Sequence, residues 1–129
     1  MASEQILSVQ GLSIDVVKGG VTTPVLSDVS FDLNAGQVLG VIGEAGSGKT
    51  VLSRALVNGL GAPLEISAGK VDYKGSNLLA LSQKELRLIR GKEIGYIGAN
   101  PMGSLDPTMA IGDQIVEKLK SVRPDMSTL

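Results

Sequence analysis

Eight consecutive residues have the types and the spacing of a phosphate-binding loop. They follow the pattern G-x-x-x-x-G-K-[ST] and are Gly43, Glu44, Ala45, Gly46, Ser47, Gly48, Lys49 and Thr50. Glycines let a backbone wrap closely around a polyphosphate and turn successive N–H groups toward it. In such a loop the Lys49 ammonium reaches the β- and γ-phosphates, and the Thr50 hydroxyl ligates Mg²⁺. The pattern therefore predicts a nucleotide-binding site.

A loop of this kind requires a strand before it and a helix after it. The residues from Gln37 to Ile42 are mostly apolar and predict a short buried strand. The segment from Val51 to Leu60 predicts a helix, because its leucines recur at helical spacing. This context favours phosphate binding over the alternative of a glycine-rich turn that ends in a solvated lysine.

The remaining segments predict a series of short elements. Strands are expected at Ile6–Val9, Leu12–Val17, Val25–Leu33, Gly69–Gly75 and Ile94–Gly98. Turns are expected at Gly19-Gly20, at Asn34-Ala35-Gly36 and in the proline-bracketed loop Pro101–Pro107. Ser82 and Glu85 form a capping box for a helix to about Arg90. A last helix presents Ile111, Ile115 and Leu119 on one face.

Composition limits the possible functions. The chain has 129 residues, 43% of them hydrophobic, and a mean hydropathy of +0.22, which suits one modest globular domain. A net charge of −1 and only three aromatic residues, Phe31, Tyr73 and Tyr96, provide no footprint for nucleic acid. The basic residues from Lys84 to Lys92 are interrupted by Glu85 and are read as a solvated helix face.

The chain has neither cysteine nor histidine. It therefore forms no disulfide, no thiolate or imidazole zinc site and no Ser-His-Asp or Cys-His catalytic pair. The N-terminus lacks the pattern of a secretion signal, and the sequence contains no run of about 18 apolar residues. We expect a cytoplasmic protein that is at most peripheral to a membrane.

These segments together resemble the N-terminal half of an ATP-binding subunit of ABC transporters. Val25–Gln37 is similar to the segment that leads into the phosphate loop of that family, and Gly43–Thr50 matches the loop. Ile94–Ile97, Pro101–Pro107 and Ile111–Ile115 resemble the Q-loop region of the oligopeptide, dipeptide and glutathione importers. In those importers the Pro-Met-x-Ser-Leu-x-Pro loop faces the membrane subunit.

The resemblance implies an α/β fold, namely an incomplete P-loop NTPase of the ABC ATPase type. Its parts would be an N-terminal antiparallel β region, part of the parallel core sheet and the start of a helical subdomain. The expected boundaries are 1–36 for the β region, 37–60 for the loop with its strand and helix, and 61–98 for strand, helix and strand. The Q-loop region would cover 99–108, and the helical subdomain would begin in 109–129.

The resemblance also implies ATP and Mg²⁺ as cofactors. The implied partners are transmembrane permease subunits and a second ATP-binding subunit, with no nucleic acid. The implied location is the cytoplasmic side of the inner membrane.

The sequence departs from the family pattern at two positions. Val16 or Val17 stands where the family places an aromatic residue that stacks on adenine, and Ala99 stands at the position of the Q-loop glutamine. A methyl group neither ligates Mg²⁺ nor orients water. Asn100 is the neighbouring candidate for that role.

The signature, the Walker B carboxylate and the switch histidine of the family do not occur in this sequence, so we expect no catalytic residues and no hydrolysis by the chain alone. In this fold, strands of the C-terminal half lie between Gln37–Gly43 and Ile94–Gly98, which should therefore be weak points. Two alternatives stay open. One is a non-catalytic nucleotide-binding module, and the other is a different P-loop enzyme, such as a small-molecule kinase or a GTPase.

Overall fold

The structure, a computed structural model, describes residues 4–125 of the chain. The outermost residues of the first and last predicted segments, 1–3 and 126–129, lie outside this range. The chain divides into two compact units between Leu86 and Arg87. The first unit contains a four-stranded sheet and the phosphate loop, and the second contains the proline-bracketed loop and the last helix.

The sheet of the first unit is antiparallel and has the order β2-β1-β3-β4. Its strands are β1 (Gln5–Lys18), β2 (Val21–Asn34), β3 (Leu64–Tyr73) and β4 (Ser76–Asn77). The core lies on the central strand, where Val9, Leu12 and Ile14 are fully buried, and Val71 of β3 lies opposite Val9. Burial of each such side chain contributes ~1.5–3 kcal/mol, which makes this sheet the stable part of the unit.

The first two predicted strands form one continuous strand with an irregularity between them. The register of β1 against β2 shifts between Val9 and Leu12, and Gly11 has a φ of 58°. The Gly11 N–H donates to Ser30 Oγ at 2.9 Å. A Cβ on Gly69 of β3 would lie 2.5 Å from Gly11 O, so β3 approaches β1 closely only because Gly69 has no side chain.

The predicted buried strand Gln37–Ile42 is wrong. These residues have no regular structure, and the side chains of Val38 and Ile42 are 97% and 99% exposed. No described strand pairs with this segment, and without a ladder partner its backbone groups remain hydrated. The predicted turn at Asn34-Ala35-Gly36 before it is confirmed, since Gln37 N–H donates to Asn34 O at 3.1 Å.

The predicted strand Ile94–Gly98 is wrong for the same physical reason. Only Ile94 pairs, in a single parallel bridge with Arg90, and Ile97 is 93% exposed. The expected part of a parallel core sheet is therefore not formed. Throughout residues 4–125 the named strands pair only in the antiparallel sense.

Three α-helices are described within this range. Helix α1 (Lys49–Ala55) is shorter than the predicted Val51–Leu60, because Asn58 adopts a φ of 47° and Gly59 N–H closes back on Arg54 O at 2.8 Å. The second and third helices are α2 (Gln83–Ile89) and α3 (Ile111–Val122), and both were expected.

The capping box of α2 is confirmed. The Ser82 N–H and the Ser82 hydroxyl donate to Glu85 Oε2 at 2.8 and 2.6 Å, and Glu85 N–H donates to Ser82 Oγ at 3.4 Å. These hydrogen bonds hold the pKa of the Glu85 carboxyl below its ordinary value. The start of α2 is thus fixed by the two residues that the sequence indicated.

Candidate nucleotide-binding site

The phosphate loop has the backbone that its glycines permit. Gly46 and Gly48 adopt φ values of 82° and 92°, in the left-handed region where a side chain is strained. Between them, Ser47 N–H donates to Glu44 O at 3.2 Å and closes a turn. Gly48 is the N-cap of α1, so the turn delivers the chain directly into the helix.

Two glycines of the loop also lie against neighbouring atoms. A Cβ on Gly43 would lie 2.6 Å from Ser47 Oγ, and a Cβ on Gly48 would lie 2.7 Å from Leu26 Cδ2. Real Cβ contacts this short do not occur, so a side chain at either position would change the loop. A side chain at Gly43 would displace the Ser47 hydroxyl and one at Gly48 would displace the Leu26 side chain, and Gly48 is restricted further by its left-handed φ.

The ammonium of Lys49 lies within the loop. Its Nζ donates to Gly43 O at 2.7 Å, to Glu44 O at 2.6 Å and to Ser47 Oγ at 3.3 Å. A lysine has three N–H donors, and all three have an acceptor in the loop itself. Three oxygens of the loop thus hold the cation, and within residues 4–125 its hydrogen bonds all go to residues 43–47.

Thr50 lies at the second position of α1 and is exposed. Its carbonyl oxygen accepts from Ser53 Oγ at 3.0 Å. The first N–H groups of any helix have no carbonyl one turn before them. A hydroxyl oxygen is a hard ligand of the kind that Mg²⁺ takes together with phosphate oxygens.

The described residues contain no group of three or more His, Cys, Asp or Glu that could hold a metal ion.

The two candidate positions for a base-stacking residue lie near the end of β1. Val16 pairs with Thr23 of β2 and Leu64 of β3, and Val17 N–H donates to Pro63 O at 2.8 Å. The Val17 side chain is 36% exposed. Both positions therefore present an aliphatic surface and no π face.

Asn100 is used within its own loop. Its Oδ1 accepts from Gly103 N–H at 3.2 Å, and its carbonyl oxygen accepts from Ser104 Oγ at 3.2 Å. These bonds close the 3-10 turn Met102–Ser104. The Asn100 amide oxygen, which the sequence suggested as a substitute for a Q-loop glutamine, thus already accepts a hydrogen bond within its own loop.

Sequence reasoning missed the role of Gln114. Its Oε1 accepts from Asp106 N–H, and its Nε2 donates to Asp106 O and Met109 O, all at 2.9 Å. The Thr108 N–H and hydroxyl donate to Asp106 Oδ1 at 2.8 and 2.6 Å, and they hold the pKa of Asp106 below its ordinary value. A glutamine in the first turn of a helix that follows a proline loop was the available signal.

The glycine turn, the enclosed lysine and the helix that begins at the loop define the class of phosphate-binding-loop proteins. A family-wide sequence profile described as "ABC transporter" matches residues 26–129. The chain belongs to the ABC transporter family. The exposed segments Gln37–Ile42 and Ile94–Gly98 both lie within the matched region.

Individual relatives agree with this assignment. The chain is similar to the dipeptide transport ATP-binding protein DppD of Lactococcus lactis subsp. cremoris, with 42% identity over 127 residues that cover 98% of this chain and 36% of that protein. It is 40% identical to DppD of Bacillus subtilis, over 90% of this chain and 35% of the relative. It is also 40% identical to the oligopeptide transport ATP-binding protein OppD of Bacillus subtilis, over 89% and 32%.

The chain spans about a third of the length of these relatives, between 32% and 36% of each. Among the helices within residues 4–125, none has both the length and the apolar character needed to cross a membrane.

Proposed function

We propose that this chain binds Mg-ATP through residues 43–50, as the phosphate-binding part of an ATP-binding subunit of a peptide importer. The observation that carries the proposal is the position of the Lys49 ammonium, which donates hydrogen bonds to Gly43 O and Glu44 O within the glycine turn. The names of the relatives, which are dipeptide and oligopeptide transport ATP-binding proteins, support the substrate class.

The residues of the loop fit a nucleotide in distinct ways. Gly43, Gly46 and Gly48 would allow the backbone to approach the phosphates, and the first N–H groups of α1, which have no carbonyl one turn before them, would be available as donors. Lys49 would exchange the loop carbonyls for β- and γ-phosphate oxygens, a stronger charge-assisted contact. Thr50 would hold Mg²⁺ through its hydroxyl, with the phosphate oxygens as further ligands.

The proposed partners are transmembrane permease subunits and a second ATP-binding subunit. The chain would be peripheral to the cytoplasmic face of the inner membrane through the permease, without contact to nucleic acid. Support for this arrangement comes from membership of the ABC transporter family and from the transport roles named for the relatives.

Calorimetric titration with Mg-ATP tests the phosphate site. Lys49→Ala should abolish detectable binding, because it deletes the only side-chain cation of the loop. Lys84→Ala is the matched control, since Lys84 is an exposed lysine of α2, and it should bind as the wild type does. Equal affinity of the wild type and Lys49→Ala would contradict the proposal. Urea unfolding of each variant shows whether a loss reflects the site or the fold.

A second titration tests the metal ligand. Thr50→Ala should lower the affinity for Mg-ATP while it leaves the weaker binding of ATP in excess chelator unchanged, and Thr50→Ser should behave as the wild type does. Equal losses with and without Mg²⁺ would show that Thr50 supports the loop and does not ligate the metal.

Ala99 favours a second function, nucleotide binding without turnover. Its methyl group supplies neither the donor nor the acceptor that positions water, and Asn100 Oδ1 is bound to Gly103 N–H. We expect Mg-ATP and a non-hydrolysable analogue to promote binding to permease subunits equally. A response to ATP alone, lost in Lys49→Ala, would show that turnover is required and would contradict this second function.

The aliphatic surface at Val16 and Val17 predicts weak recognition of the base. Base–aromatic stacking is worth ~1–3 kcal/mol where it occurs and is available to any base, so its absence should weaken the affinity for ATP and GTP alike and leave the two similar. Competition of GTP against bound Mg-ATP measures this. A ~100-fold preference for ATP over GTP, the size of effect that such a stacking energy corresponds to, would show that another group recognises the base.

A further inference from the structure

The last glycine of the phosphate loop lies against the second strand of the sheet. A Cβ built on Gly48 would lie 2.7 Å from Leu26 Cδ2, 3.4 Å from Leu26 Cγ and 3.5 Å from Val25 O. Gly48 is also the residue whose φ of 92° turns the chain into α1. The Leu26 side chain therefore occupies the space next to the hinge between loop and helix.

Leu26 is itself held by the stable part of the unit. It pairs with Ile14 of β1, which is fully buried and pairs on its other side with Ile66 of β3. By contrast, the segment Gln37–Ile42 that enters the loop has no strand partner among the described residues. The position of the loop relative to the sheet therefore depends on contacts at the C-terminal end of the loop, at Gly48. The Leu26 side chain provides one of these contacts.

We propose that Leu26 is a positioning residue of the phosphate site. Its side chain limits the movement of Gly48, so that the turn keeps its left-handed conformation and α1 begins where Lys49 can point into the loop. Leu26 makes no proposed contact with the nucleotide. This inference rests on the proposed function, because its effect is expressed as Mg-ATP affinity.

Two alanine variants separate positioning from general stability. Leu26→Ala should weaken Mg-ATP binding about tenfold, the order of coupling seen between residues in contact. Val29→Ala is the matched control, because Val29 lies on the same strand, is half-buried like Leu26 and pairs with the buried Leu12. It should lower the unfolding midpoint and leave the affinity of the folded protein unchanged. Equal affinities of Leu26→Ala and Val29→Ala would overturn the inference.

The double variant separates positioning from a general effect on stability, because the two roles predict different changes in Mg-ATP affinity. In Gly48→Ala the new Cβ meets Leu26 Cδ2, and it also strains the left-handed backbone. Leu26→Ala removes the first of these effects. We therefore expect Leu26→Ala to lower Mg-ATP affinity in the native background and to raise it in the Gly48→Ala background. Equal losses in both backgrounds would overturn the inference.

Amide hydrogen exchange without nucleotide distinguishes failure of this inference from failure of the proposed function. Exchange at Ser47, whose N–H donates to Glu44 O at 3.2 Å, and at Leu52, whose N–H donates to Gly48 O at 2.8 Å, should be faster in Leu26→Ala than in the wild type and unchanged in Val29→Ala. If the wild-type chain does not bind Mg-ATP, the proposed function fails, while the exchange result still decides the role of Leu26. Unchanged exchange in Leu26→Ala would refute it.

Discussion

The sheet and the segment that leads into the phosphate loop have similar apolar sequences and different structures. In β1 the side chains of Val9, Leu12 and Ile14 are buried, and the strand has an antiparallel neighbour on each side. In Gln37–Ile42 the side chains of Val38 and Ile42 are almost fully exposed, and the backbone is not paired with a described strand. An apolar run becomes a strand only where a partner completes its ladder.

The phosphate loop, unlike these strands, is formed by hydrogen bonds between residues close together in the sequence. Its hydrogen bonds from Lys49 and Ser47 span at most six residues along the chain, so the turn forms without help from the segment before it. Burial of an unpaired backbone group would cost ~1–3 kcal/mol, so the entering segment stays hydrated while the loop closes. The turn therefore does not depend on pairing of the segment Gln37–Ile42, although Leu26 of β2 lies against its last glycine.

The largest expected effect is on the free energy of unfolding, and it tests the difference between the buried sheet and the exposed segment Gln37–Ile42. Ile14→Ala should destabilise the chain by ~2–5 kcal/mol, because it leaves a cavity in the buried face of the sheet. Ile42→Ala should change the free energy of unfolding by no more than ~0.5 kcal/mol, as expected for an exposed position. Urea denaturation of both variants measures the difference. Similar losses would mean that Ile42 is buried in solution.

The sequence predicted the parts of the fold that depend on local chemistry. The turns at Gly19-Gly20 and Asn34–Gly36, the capping box of Ser82 and Glu85, and helix α3 are confirmed, because each is specified by residues a few positions apart. The strands at Gln37–Ile42 and Ile94–Gly98 were wrong, since period and composition do not reveal whether a distant segment lies alongside.

The candidate site divides in the same way. The positions of Gly46, Gly48 and Lys49 follow from the motif, whose spacing encodes the turn. The contact of Leu26 with Gly48 and the three hydrogen bonds of Gln114 were not predicted. The Leu26 contact joins the strand β2 to the loop, which the sequence pattern does not reveal. The Gln114 side chain bonds the backbone of the preceding loop, and its only signal is its place in the first turn of α3.

An intermediate effect is expected on association. Exposed apolar side chains on an unpaired strand-like segment favour pairing between molecules. The chain should therefore show a concentration-dependent increase in mass by analytical ultracentrifugation, and Ile42→Lys should reduce it. Val21→Lys is the control, because Val21 is 65% exposed in β2 outside this segment. A monomer at all concentrations, or equal effects of the two lysines, would contradict this account.

The smallest expected effect concerns the cap of α2. The pKa of Glu85 is lowered in the folded chain by the hydrogen bonds from Ser82. Its carboxylate therefore stabilises the helix start at pH values above its unfolded pKa, and that contribution is lost as the pH falls through the lowered folded pKa. NMR shifts of the Ser82 amide should report this transition. Glu85→Gln should remove it, and Glu117→Gln, on an exposed position of α3, should leave it intact.

Hydrogen exchange on the whole chain, with and without Mg-ATP, tests the central claim most directly. The claim is that the phosphate loop is formed and binds nucleotide although the segment entering it is unpaired. We predict strong protection in β1 and β3, little protection from Val38 to Ile42 in either condition, and slower exchange from Ser47 to Leu52 when Mg-ATP is added. Protection of Val38–Ile42 equal to that of β1 in a monomer, or no response of the loop to Mg-ATP, would contradict it.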